Sequence, residues 1–361
     1  MTLRVLVAGA GVIGTHHVGI LAGGAVPGVE LVGVIDHTAG AAKDLAAPHD
    51  LPAFTNLEQA VRETSADTVV VCTPTGTHME VALDAMRAGC HVLIEKPADI
   101  SVERTDILIE EEKRRGVVVG VVSQHRFDPA SEQVQRLLDA GEFGTLTSGI
   151  ASTNWWRGQD YYDSGHWRGT WHLDGGGALT NQGIHAVDLL LSFFGDPVSV
   201  TARTALLAHE RIDVEDVAVA TLEFASGALG LLHATTAAYP GLTVRIALMG
   251  SEGSAVIEDD RLSYLHTRRA AQAEDPSSPA ANQALLGSAS NGDSADQQRT
   301  AGSDPSALSE AHSLQWGDFA AAITEGRRPR VTLQENRRSL ATIGAVYASA
   351  ADGGRPVQLP S

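Results

Sequence analysis

Apolar residues come in short unbroken runs through the first third of the chain, and further on they alternate with polar ones. The runs at 3–8, 29–35, 68–72, 91–94 and 117–122 are continuous and largely β-branched, the signature of parallel strands buried on both faces. Segments near 38–46 and 56–63 carry helical spacing between them. Strand–helix alternation of this kind predicts βαβ units and a doubly wound parallel sheet. Past Ser123 the alternation stops. A short amphipathic helix is expected at 130–140, followed by strand-like stretches at 146–154, 198–207, 217–224, 228–236, 243–249 and 255–258. Strands in succession predict a second, α+β domain on a large, open, mostly antiparallel sheet. Helical patterns at 178–191, 312–323 and 333–351 would cover it.

The pattern divides the chain into a dinucleotide-type domain at 1–123 and a substrate-binding and oligomerisation domain at 124–361. Within the second, 268–309 is dominated by Ala, Ser, Asp, Gln, Gly and Pro and reads as a flexible insertion. Acids outnumber bases 44 to 26 over 361 residues, a formal charge of −18, which argues against nucleic acid or an anionic membrane as partner. No apolar run is long enough to span a bilayer. The two cysteines, Cys72 and Cys90, flank expected buried strands and make no disulfide framework, so the cytoplasm is the default location.

The first strand runs straight into Gly9-Ala10-Gly11-Val12-Ile13-Gly14. In a dinucleotide fingerprint Gly9 makes the tight turn, Gly11 admits a pyrophosphate to the backbone and Gly14 lets helix pack on strand. Val12 and Ile13 would open the helix whose N-terminus holds the phosphates. Asp36 ends the second strand at the distance expected of the acid that binds the adenosine ribose, which favours NAD over NADP without excluding the latter. Ligands of such sheets sit beyond the carboxyl ends of the strands, which puts Thr73, Pro74, His78, Glu95 and Lys96 among the candidate cofactor-binding residues.

Gly175-Gly176-Gly177 precedes a helical pattern on which Asn181, His185 and Asp188 fall at i, i+4 and i+7, a polar stripe on one face. The stripe lines a polar cleft, or His185 is a core histidine hydrogen-bonded to Asp188. Four of the five tryptophans lie between Trp155 and Trp171 in a segment rich in Gly, Asp and Arg. Aromatic faces beside polar groups suit sugar rings, so Trp155, Trp167 and Arg168 are candidate substrate contacts; a lid or interface loop is the alternative. His166, His172 and His185 lack metal-ligand spacing, and no metal is expected.

Taken together, Gly9 to Gly14, Cys72-Thr73-Pro74 with His78, Glu95-Lys96-Pro97, Arg126-Phe127, and Gly176-Gly177 through Gly183-Ile184-His185 to Asp188 resemble the Gfo/Idh/MocA oxidoreductases over nearly the whole chain. The resemblance implies a Rossmann domain, a C-terminal domain on an open sheet, and a homodimer or homotetramer formed through that sheet. It implies hydride transfer between NAD(P) and a secondary hydroxyl of a sugar, sugar derivative or cyclitol. Lys96 and His185 would flank the reacting carbinol, with Arg126 and Asn181 among the substrate contacts. Many relatives carry Asp where this chain has Asn181, which puts the division of labour between His185, Lys96 and Asp188 in question. A redox-assisted glycosidase and a non-catalytic nucleotide sensor on the same scaffold are the alternatives.

Overall fold

The apolar runs of the N-terminal third become β1 (Leu3–Ala8), β2 (Val29–Ile35), β3 (Ala53–Phe54), β4 (Thr68–Val71), β5 (His91–Ile94) and β6 (Val119–Val121), all parallel, in the order β3-β2-β1-β4-β5-β6. The computed structural model describes residues 2–268 and 305–360. Strand order reverses between β1 and β4, so the ligand crevice of this sheet opens beyond their carboxyl ends. Val5, Val7, Val34, Val70 and Leu93 are buried with Trp316 and Phe319 in one core. The last two come from the helix Pro305–Glu325. A helix the sequence reading did not name, Val102–Arg115, starts where the Ser101 side chain accepts the Arg104 amide and stops at Gly116, φ 66°. Charge masks its apolar face, of which Leu108 and Ile109 are the buried aliphatics.

The second sheet has eight strands: β7 (Leu146–Asn154), β8 (Pro197–Ala205), β9 (Val217–Phe224), β10 (Leu229–Thr235), β11 (Val244–Gly250), β12 (Gly253–Glu258), β13 (Arg261–Thr267) and β14 (Val357–Gln358). Their order is β13-β12-β11-β7-β10-β9-β8-β14, antiparallel except for the parallel pair β7 and β10. Alternation does what period two dictates: Ala218, Ala220, Leu222 and Phe224 of β9 face the core, and Val219, Thr221 and Glu223 face out. The helix Ile184–Phe194 covers the inner face so closely that a Cβ on Gly149 would lie 2.6 Å from the Phe194 ring.

Beyond the expected boundary at 123/124, residues 167–175 and the described part of 304–340 also pack with the first unit, which takes in the helix Pro305–Glu325 and the start of the helix Leu333–Ala351; 341–351 pack with the second, as expected of both helices. The expected insertion at 268–309 lies almost wholly outside the described residues. Its end, from Pro305, is helical. No helix among the described residues is long and apolar enough to cross a membrane.

Candidate functional site

In the first unit Gly9 turns at φ 113°, and a Cβ there would lie 2.5 Å from the Cys72 carbonyl oxygen. A Cβ on Gly14 would lie 1.9 Å from the Gly9 carbonyl oxygen, so helix Val12–Ala22 packs on the loop only because neither position has a side chain. Gly11 differs: a Cβ there would meet nothing within 4 Å. No side chain caps this helix, and Val12 in its first turn is 79% exposed, so open amides face outward where a pyrophosphate would be held. Asp36 is fixed by the Ala10 amide on Oδ2 (2.9 Å) and the Thr38 amide on Oδ1 (2.8 Å), which brings the ribose acid to the fingerprint loop. These residues fit a dinucleotide.

Glu95, Lys96 and Pro97 follow β5. Glu95 is 5% exposed. Its Oε1 lies 2.8 Å from His17 Nε2, its Oε2 accepts the Lys96 amide at 3.2 Å, and the Trp316 indole donates to His17 Nδ1 at 3.0 Å. An indole can only donate, so Nδ1 is the accepting nitrogen and Nε2–H donates to Glu95. Burial pushes the Glu95 carboxyl up, yet the His17 hydrogen bond, with His312 and Lys96 nearby, holds it at about 2. The Ala98 amide donates to Asn336 Oδ1 (2.8 Å) and the Met79 amide to Asp99 Oδ2 (2.8 Å), so the segment is pinned on both sides of half-buried Lys96.

Two residues expected at the cofactor are buried and hold their neighbours. Glu95 is a buried anchor. His78 is 1% exposed, with its ring nitrogens 2.8 Å from the Pro97 carbonyl and 2.7 Å from the Thr73 carbonyl. It ties the loop after β4 to the lysine segment. Burial pulls the His78 ring below its ordinary value, against the two carbonyls that favour its charge. Thr73 and Pro74 stay at the strand-end edge. Trp167 and Arg168 lie on the stretch that returns to this unit, where the Gly76 amide donates to the Leu173 carbonyl at 2.8 Å. The Arg168 guanidinium stacks on Trp167, 4.4 Å from its ring centre.

In the second unit Asn181 and His185 straddle a change of helix type. Ala178–Gly183 is a π-turn and Ile184–Phe194 an α-helix, a departure from the uniform helix expected at 178–191. Glu215, which sequence reading missed, holds the start of the π-turn: it accepts the Gly177 amide (2.9 Å), the Leu179 amide (2.9 Å) and the Tyr347 hydroxyl (3.0 Å). Burial raises its carboxyl to about 7 against those donors. Gly177 has to be glycine, because a Cβ would lie 1.8 Å from the Glu215 carbonyl oxygen.

Arg126, expected among the substrate contacts, forms a two-pronged pair with Asp188, Nε to Oδ2 at 2.6 Å and Nη2 to Oδ1 at 2.7 Å. Asp188 is 2% exposed. The pair occupies the carboxylate that was considered as a base. The His185 ring meets the His125 ring edge-on, centres 4.8 Å apart. Burial works against charge on His125, but Asp260 and Asp128, 2.8 and 2.9 Å from its Nδ1, raise it to about 10.

Two groups among the described residues have the donor set of a metal site, His17/Glu95/His312 and His125/Asp128/Asp260; neither includes the histidines weighed from sequence. In the first, a metal on His17 Nε2 would need Nδ1 to carry the proton, and Trp316 already donates there. That donor set suits a hydrogen-bonded brace better than an ion.

A family model described as "Oxidoreductase family, NAD-binding Rossmann fold" matches residues 3–123, and one described as "GFO/IDH/MocA C-terminal domain" matches 131–256. The chain is 31% identical over 271 residues to the inositol 2-dehydrogenase of Rhizobium meliloti (strain 1021), covering 72% of this chain and 77% of that protein. It is 27% identical to the scyllo-inositol 2-dehydrogenase (NAD(+)) of Bacillus subtilis (strain 168), over 99% and 96% of the two chains. The crystal structure of the WlbA dehydrogenase from Bordetella pertussis in complex with NADH and UDP-GlcNAcA has a TM-score of 0.83 at 28% identity, covering 100% of each chain. With the fingerprint, the braced lysine and the open sheet of the second unit, these matches establish that the chain belongs to the GFO/IDH/MocA family of NAD-binding oxidoreductases.

Proposed function

We propose that the enzyme oxidises a secondary hydroxyl of a sugar, sugar derivative or cyclitol with NAD, using Lys96 and His185 on one oxygen and Asn181 beside the histidine. A C–H bond gives up hydride only as negative charge grows on the carbinol oxygen, and the pair lowers that barrier from two directions. His185 takes the hydroxyl proton. The Lys96 ammonium donates to the oxygen as it becomes alkoxide-like, and the C–H electron pair leaves as the carbonyl forms. Bound NAD supplies the hydride acceptor. Asn181 can orient the imidazole but, being neutral, adds nothing to the stability of the imidazolium, so Lys96 carries more of the electrostatic load than it would beside a carboxylate.

The observation that supports this reading most is the bracing of Glu95-Lys96-Pro97: a buried, ionised carboxylate and Asn336 fix the backbone on either side of the lysine at a strand end. A lysine with no task there would not need it. Initial rates of NAD and NADP reduction over inositols, free pyranoses, anhydrosugars and glycosides test the proposal. NADH formation from a free polyol, faster than NADPH formation, is expected. Aglycone release without net NADH would instead point to redox-assisted glycoside cleavage, and cofactor binding with no turnover at all to a sensor.

A homodimer or homotetramer through the outer face of the second sheet belongs to the same proposal. Leu229 is 58% and Leu231 39% exposed there, on β10, next to outward Val219 of β9. Sedimentation velocity of the intact protein should give a multiple of 37.8 kDa, and Leu231→Lys should shift it towards one chain; a monomeric parent would end that part of the proposal. Cys72 and Cys90 are free and buried, in keeping with a reducing, cytoplasmic setting.

A further inference from the structure

Where β7 ends, the second unit gathers buried polar atoms that have no partner among the described residues. They are Trp155 Nε1, Arg157 Nε and Gln182 Oε1. Buried polar groups in folded proteins are met by a partner, so these three, joined through Tyr161, mark a place where water or a ligand completes the bonding. The scaffold under them is fixed: the Trp155 amide donates to the Thr235 carbonyl (3.0 Å), and the Arg157 amide to the Thr236 carbonyl (2.9 Å). His209 holds the Arg157 carbonyl from the other side, its Nε2 at 2.7 Å.

The Arg157 guanidinium lies between two rings, 5.0 Å from the centre of Trp155 and 5.0 Å from that of Tyr161. It meets no carboxylate among the described residues, although the chain carries 44 acids. Tyr161 receives the Gln182 side-chain amide on its hydroxyl at 3.2 Å. Gln182 stands next to Asn181 on the π-turn that leads into His185. One chain of contacts thus runs from the half-buried cation to the residues assigned to the reaction.

We propose that Arg157 binds an anionic oxygen group, a carboxylate or a phosphate, on the substrate, with Trp155 and Gln182 taking neighbouring hydroxyls, so that acidic or phosphorylated sugars are preferred over the neutral polyols the enzyme also turns over. A flat guanidinium held between aromatic faces is set for two parallel hydrogen bonds to such a group. The amide oxygen of Gln182 accepts from a hydroxyl, while the indole N–H and guanidinium only donate. This inference rests on the dehydrogenase reading for its substrate class, but it is tested separately by binding.

Calorimetric titration of the NADH-loaded enzyme with three hexoses, their uronates and their 1-phosphates measures it. At least one anionic member should bind ~10-fold or more tightly than its neutral parent, and Arg157→Gln should bring the ratio close to one. Which arm shows the gain distinguishes carboxylate from phosphate. Arg157→Lys should restore part of the ratio, because charge survives and the planar fork does not. If no anionic member outcompetes its parent, or if Arg157→Gln preserves the ratio, the proposal is overturned. Selective binding without NADH formation under NAD would keep the anion site and end the dehydrogenase reading; NADH formation with equal affinities would do the reverse.

Discussion

Lys96→Met is expected to lower kcat/KM for the best substrate of the panel by on the order of 10²–10³-fold, the usual loss when one donor to a developing oxyanion is removed. Methionine keeps the unbranched stem out to its ε carbon and removes the ammonium group, so the bracing of the backbone by Glu95 and Asn336 should persist. An unchanged thermal midpoint would certify that. His185 then faces a hydroxyl that no cation has acidified, and Asn181 offers no charge to help. Glu95→Gln makes a useful contrast: it leaves the lysine but weakens its anchor, since an amide cannot accept from both His17 and the Lys96 amide on two oxygens. It should affect kcat less than Lys96→Met does. Initial rates on the two purified variants decide, and a loss below about threefold for Lys96→Met would remove the lysine from the reacting oxygen.

Arg126→Met is expected to destabilise the second unit by about 3–5 kcal/mol, since it strands a carboxylate that is almost wholly buried. Asp188 would have to stay ionised without the guanidinium or take up a proton, and either route costs stability near neutral pH. Combining Arg126→Met with Asp188→Leu should recover most of the loss, because a buried ion pair is often no more stabilising than apolar groups of like size. Urea unfolding followed by tryptophan fluorescence reports it. If Arg126→Met unfolded at the parent's urea concentration, Asp188 would have to find solvent or another cation, and the pair would carry no structural weight.

Residues close in sequence were the legible ones. Gly9, Gly11 and Gly14 act within one loop, and the apolar runs of β1, β2, β4 and β5 need only a local pattern to be read as buried strands. The pieces that escaped join distant parts of the chain. Trp316 reaches His17 across 299 residues, and Arg126 reaches Asp188 across 62, so neither pairing leaves a periodic trace. A lone arginine five places past the end of β6 gives no hint that its guanidinium closes on a helix carboxylate. The position of His78 after a strand end is legible, but not that its ring reaches two carbonyls, one of them 19 residues ahead. The π-turn at Ala178–Gly183 was invisible for another reason: the same apolar spacing fits an α-helix, and only Glu215, distant in sequence, shows what holds the wider turn. The stretch 167–175 reads as part of the second domain by position alone, yet the Gly76 contact with Leu173 draws it to the first.

Joint action of Lys96 and His185 on a single oxygen is the claim on which the rest depends, and a double-mutant cycle in kcat/KM measures it most directly. Lys96→Met, His185→Gln and the double variant would be compared with the parent on one substrate at one pH. Groups that act as a unit lose most of their effect at the first deletion, so the double variant should fall within ~10-fold of the worse single. Losses that simply multiply, each side chain contributing as though the other were still present, would contradict a shared oxygen.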